Sequence, residues 1–197
     1  VTGNPWRTWE ALQMVGADKE IPPSVGREFD IILPNRPDYE KRVNLSLDFA
    51  VILKDLNPEL NILVTTGRQK YCGVKSKWIY MYAHTLAKKG IIDLREGLSK
   101  VEYYTLLSKS KVMLSNTVEE TFGYCVIEAC TFNCNPITPN KLSHPELLEG
   151  DTDLMYNELD EVVDKILARL EKPKRVYPYA LKYNDSIKRM IRVMERE

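Results

Sequence analysis

The stretch "KVMLSNTVEETFGYCVIEACTFNCNPIT", residues 111–138, runs from an apolar strand-like segment through a polar loop into an amphipathic helix and on to a second strand-like segment. That order is the β-α-β unit of a parallel sheet. Working outward, the same alternation continues almost to both ends of the chain. Strands are predicted at 29–33, 60–66, 91–94, 111–115, 135–138 and 153–156. Asp38 caps a predicted helix to about Leu56 whose core face is Leu45, Phe49, Ile52, Leu53 and Leu56. A second helix covers 77–89 and stops at Gly90. Ser99 stands three residues before Glu102, a capping-box pattern that starts a third. Gly123 opens the helix inside the quoted stretch, with Val126, Ala129, Cys130 and Phe122 on its buried side. Asn157 caps the helix over 157–172, and a surface helix is predicted beyond Pro173. The expected fold is an α/β Rossmann-like parallel sheet of about six strands, in which ligands sit where strands enter helices.

Composition narrows the classes. Of the 197 residues, 44% are hydrophobic and 28% charged, a globular profile rather than a disordered one. Lys plus Arg and Asp plus Glu each number 28, so no global basic field grips a nucleic acid or an anionic membrane. No run approaches the ~20 apolar residues of a membrane span. A cytoplasmic location is therefore expected. Cys125, Cys130 and Cys134 crowd one apolar segment, but their spacing suits core thiols better than metal ligands. Val1 in place of an initiator Met reads as an excised piece of a longer chain. The expected division is a linker or remnant of a preceding domain over 1–26, a Rossmann-like domain over 27–172, and a closing helix over 173–197 that packs back toward the missing part.

Three loops have residues suited to chemistry. Arg36 and Lys41 follow the first strand and are either a cation pair over the strand end or ordinary surface charges paired with Asp38 or Glu40. Gly67 and Arg68, in "TTGR", allow a ligand close to the backbone. No dinucleotide fingerprint or phosphate loop of the G-x-x-x-x-G-K-S/T kind exists. In the quoted stretch, the helix opening at Gly123 aims free N–H groups and a positive dipole end above the sheet, which favours an anion. Glu120 then either accepts hydroxyl hydrogen bonds or serves the helix end. Glu128 either holds vicinal hydroxyls or is an ordinary helix residue.

The spacing E-T-F-G-Y-C-V-I-E-A, with "CNPITPN" and "HPEL" after it, resembles the donor-binding domain of retaining glycosyltransferases of the GT-B fold, family 4 type. Their signature is two glutamates separated by seven residues, Phe-Gly soon after the first and Ala after the second. The likeness extends over about 29–168. It implies that Arg36 and Lys41 grip the donor diphosphate, that Glu128 holds the ribose, and that Glu120 with Thr121, Phe122 and Gly123 holds the sugar. Gly67, Arg68, Arg95 and Gly97 fall in segments the family uses around the donor. It further implies a nucleoside-diphosphate sugar as donor, UDP or GDP foremost, with no cofactor and no metal. "DTD" at 151–153 reads as a turn. The partners implied are the nucleotide sugar, an unknown acceptor and a missing amino-terminal domain, with no nucleic acid bound by this domain alone. Thr121 and Asn133 depart from the family pattern. Two other readings stand beside this one: a nucleotide-sugar-binding module without catalysis, and an unrelated doubly wound domain that meets a protein through Tyr80, Tyr82, Tyr103 and Tyr104.

Overall fold

A computed structural model describes residues 8–17, 26–34, 36–66 and 74–176. Six strands, β1 (Phe29–Leu33), β2 (Ile62–Thr65), β3 (Asp93–Arg95), β4 (Ser110–Leu114), β5 (Asn135–Pro139) and β6 (Met155–Tyr156), form one parallel sheet. Their order is β3-β2-β1-β4-β5-β6. The central strands are short apolar runs because both of their faces are covered by helices. Ile31 and Ile32 of β1, paired with Ile62, Leu63, Val112 and Met113, have essentially no exposed surface. Between β1 and β4 the sequence order reverses. A crevice opens at such a reversal because the connections leave the sheet in opposite directions.

The helices are α1 (Thr8–Met14), α2 (Val43–Leu56), α3 (Val74–Lys88), α4 (Lys100–Ser108), α5 (Tyr124–Thr131), α6 (His144–Leu147) and α7 (Glu161–Glu171). Gly90 follows α3 with φ 71°, and the N–H groups of Gly90 and Ile91 return to Ala87 and Leu86, as the Gly stop signal predicts. The Ser99–Glu102 capping box opens α4 with both of its reciprocal bonds formed. Helix α1 falls within the segment expected to be a linker; it lies against α4 and α5 and buries Ala11. Among the described residues no helix is long and apolar enough to cross a membrane.

Several local expectations need correction. Asp38 makes no side-chain cap, and the chain forms a separate 3-10 turn, Tyr39–Lys41, before Arg42 in the left-handed region (φ 46°) starts α2 afresh. The buried face of α2 is Val43, Ser46, Leu47, Phe49, Ala50 and Leu53; Phe49 and Leu53 are buried as expected and Leu45 packs part-buried on the core, while Ile52 and Leu56 are exposed. Asn157 does not cap α7, which begins after Asp160; its carboxamide instead accepts a bond from Asn140. The 151–153 turn is an Asx turn, with the Asp153 N–H donating to the Asp151 side chain. The closing surface helix lies outside the described residues. Cys130 and Cys134 are core thiols, whereas Cys125 reaches the crevice wall.

Candidate functional site

The crevice at the carboxyl ends of β1, β2 and β4 is a cleft of about 560 Å³. Pro34, Arg36 and Lys41 come from the connection after β1, and Thr65 from the end of β2. Leu98, Ser99, Lys100 and Tyr103 come from the entry to α4, and Glu120, Tyr124, Cys125 and Glu128 from the segment after β4. Four loops far apart in sequence thus meet at one point because the sheet reverses there.

Lys41 owes its place to two contacts. The Glu40 carbonyl accepts the Val118 N–H at 2.9 Å, so the 3-10 turn is tied to the loop after β4. The Lys41 ammonium then donates to the Glu120 carboxylate at 3.0 Å and to the Glu119 carbonyl at 3.3 Å. Its partner is neither Glu40 nor Asp38. Arg36, by contrast, is 55% exposed and pairs with Asp38 at 3.4 Å while still lining the cleft.

Glu120 uses both oxygens. One takes the Lys41 ammonium and the other takes the Gly123 N–H at 3.0 Å, at the amino end of α5. Burial pushes this carboxyl upward, but Lys41 and the backbone N–H groups outweigh it and hold the group below the ordinary carboxylate value. Glu120 therefore serves the helix end. Gly123 has φ 84°, and a Cβ there would come within 2.6 Å of Leu147 Cδ1, so only glycine fits. Phe122 lies against the Tyr124 ring at 4.9 Å, and Thr121 is exposed at the outer rim.

Eight residues beyond Glu120, Glu128 faces the same cleft from the body of α5. Tyr104 donates its hydroxyl to the carboxylate at 3.1 Å. Burial is the dominant influence on this carboxyl and raises it to about 7, against the pull of hydrogen bonds from Tyr104 and Tyr103 and the charge of Lys100. The two glutamates are thus shifted in opposite directions.

Polar groups in the interior hold the loops. Asn116, 2% exposed, donates to the Ser46 hydroxyl at 2.8 Å and accepts from the Tyr156 hydroxyl at 2.6 Å. The Thr117 hydroxyl lies 3.2 Å from the Glu40 carbonyl and 2.9 Å from that of Glu119. His144 is fully buried, its Nδ1 donating to the Pro139 carbonyl at 3.0 Å, and burial lowers its proton affinity so that it stays neutral.

Of the residues singled out from sequence, Arg36, Lys41, Glu120 and Glu128 meet in the cleft. Thr121 lines an adjoining open recess of about 600 Å³ on the far side of the Lys41–Glu120 pair. Arg95 is exposed and turned to Asp93, and neither it nor Gly97 lines the cleft; Leu98, Ser99 and Lys100 do so in their place. Gly67 and Arg68 lie outside the described residues. Asn133, with φ 52°, turns the chain from α5 into β5 beneath the sheet, and its carbonyl accepts from Arg27. Tyr104 is not an interface residue; it is 1% exposed and packs on Phe132 at 5.2 Å. Tyr82 donates to Asp48, and Tyr80 packs on His84. Sequence reasoning missed Lys100 and Tyr103 as cleft residues, although Ser99 as a cap already placed both on the first turns of α4.

No protein-family model matches the chain. A tRNA-queuosine alpha-mannosyltransferase of Drosophila melanogaster is 26% identical over 145 residues, which is 73% of this chain and 36% of that protein. The pneumococcal O-GlcNAc transferase GtfA, solved with UDP and GlcNAc, superposes with a TM-score of 0.61 at 15% identity, covering 90% of this chain and 37% of that one. The UDP-GlcNAc 2-epimerase of Methanocaldococcus jannaschii, solved with UDP-GlcNAc and UDP, gives 0.62 at 14%, covering 96% and 52%. The fold is accordingly the Rossmann-like α/β fold that this chain shares with GT-B glycosyltransferases. The chain spans about a third of the length of the transferases it resembles.

Proposed function

We propose that this chain is the donor-binding domain of a glycosyltransferase, and that the cleft takes a nucleoside-diphosphate sugar, with UDP and GDP the foremost carriers. The observation that carries this reading is the convergence of Lys41, the amino end of α5, Glu120 and Glu128 on one cleft at the reversal point of the sheet. Cations and helix-end N–H groups suit a diphosphate, and carboxylates suit the hydroxyls of a sugar and a ribose. In this reading Arg36 and Lys41 neutralise the diphosphate, Glu128 holds the ribose and Glu120 reads the sugar.

Transfer proceeds with retention of configuration and without a metal. The bond from the anomeric carbon to the diphosphate oxygen breaks, the acceptor's nucleophile takes that carbon and releases its proton, and negative charge gathers on the leaving diphosphate. Preorganised donors aimed at that charge lower the barrier, each by about 3 kcal/mol on the scale of a single oxyanion donor. The acceptor is held by a part of the enzyme outside this domain.

Melting the protein with UDP, GDP, ADP and CMP, and with their sugar conjugates, tests the reading. A ligand at 100 times its dissociation constant adds about 2.7 kcal/mol, a rise of roughly 5–11 °C for a domain of this size. Lys41→Ala is expected to abolish the rise, and to melt below wild type on its own because Glu120 loses a mostly buried partner. Equal stabilisation of wild type and Lys41→Ala would remove Lys41 from the site, and no stabilisation by any nucleotide would remove the donor reading.

A further inference from the structure

Glu120 sits in a place its own chemistry makes contradictory. A diphosphate oxygen at the end of α5 would want the Lys41 ammonium and the Gly123 N–H, and Glu120 already holds both, one with each oxygen at 3.0 Å. The carboxylate and the ammonium are both mostly buried, 15% and 16% exposed, so the pair is shielded from solvent screening. Two anions cannot share that seat. We infer that Glu120 is a built-in occupant of the anion seat, and that a donor binds by displacing it; this rests on the donor reading above.

The exchange has a consequence for selectivity. A bare nucleoside diphosphate takes Lys41 and the helix end but leaves Glu120 with two lost charge-assisted hydrogen bonds beside a new like charge. A nucleotide sugar brings hydroxyl donors along with its phosphates, and those hydroxyls restore partners to the displaced carboxylate. The open recess beyond the pair, lined by Thr121, Glu119 and Leu142, gives the side chain and a sugar room to meet. Glu120 thus makes the site prefer the sugar conjugate over the diphosphate product, and it does so by penalising the product.

Most substitutions in a binding site weaken binding, so the expected result has an unusual sign. Titration calorimetry with UDP, GDP, UDP-GlcNAc and GDP-mannose should find that Glu120→Gln binds UDP or GDP about tenfold more tightly than wild type, one tenfold step being about 1.4 kcal/mol. The preference for the sugar conjugate over the bare diphosphate should shrink by a similar factor. Should Glu120→Gln fail to melt cooperatively, Glu120→Asp has the same expectation, because its shorter arm cannot span both donors. Wild-type binding of UDP or GDP that neither variant strengthens would overturn this inference and leave the donor reading standing. No binding by wild type or either variant would overturn the donor reading and this inference with it.

Discussion

Each end of the sheet holds a cation against the loops, and the two are used differently. At the amino end Arg27 donates to the carbonyls of Ser108, Ser110, Phe132 and Asn133, clipping the α4–β4 corner to the α5–β5 corner. Burial is the main influence on its guanidinium and lowers its proton affinity. At the carboxyl end Lys41 meets a side-chain carboxylate and opens on a cleft. Carbonyls of the main chain cannot swing away from the guanidinium that they hold. A glutamate side chain can. One cation is thus clipped by the main chain, and the other is paired with a side chain that can move.

The largest expected effect tests the amino end. Arg27→Met removes the donor from four carbonyls and should cost about 3 kcal/mol, a fall of roughly 6–12 °C in melting temperature, with nucleotide affinity unchanged. An affinity loss as large as the stability loss would break the contrast. A middle-sized effect concerns Glu128. Its folded carboxyl titrates at about 7 against an ordinary value of 4.5. The folded state therefore holds that proton more tightly, and the contribution is present below pH 4.5 and lost as pH rises through 7. Urea unfolding at stepped pH should show wild type losing about 1–2 kcal/mol more than Glu128→Gln across that window, a figure discounted for solvent screening. Parallel curves for the two proteins would show that Glu128 ionises freely.

The smallest effect sharpens the carboxyl end. Thr117→Val keeps the shape but removes the hydroxyl between Glu40 and Glu119, which should cost about 1 kcal/mol. Part of that loss should appear as weaker nucleotide binding that Thr117→Ser restores, since the hydroxyl helps aim Lys41. A stability loss with unaltered affinity would limit Thr117 to the fold.

The alternation of apolar runs with amphipathic ones was enough to read six parallel strands from sequence, because strands covered on both faces need no special partners to be recognisable. The Ser99–Glu102 box and the Gly90 stop were legible for the same reason: their bonds are local. What was not legible came from contacts across the fold. Nothing between 36 and 45 signals that Arg42 will turn left-handed. The Glu40 carbonyl two residues before it is held by the Val118 N–H, a contact from far along the chain that no local pattern announces. Glu120 and Glu128 were located as candidates, but their local pattern left two uses open, and only packing shows that one is tied to Lys41 while the other is held by Tyr104. Arg95 falls in a segment that the resemblance places around the donor, yet Asp93 two residues before it takes its guanidinium.

Arg42 separates two jobs that a continuous helix would have fused. From Val43 onward the side chains answer to the core, and up to Lys41 they answer to the loop after β4. Steering of the lysine therefore belongs to a segment some 77 positions away, which is itself tied to α2 by the bond from Asn116 to Ser46. A designer wishing to transplant this ammonium would have to carry along both the distant loop and the Ser46 hydroxyl that anchors it.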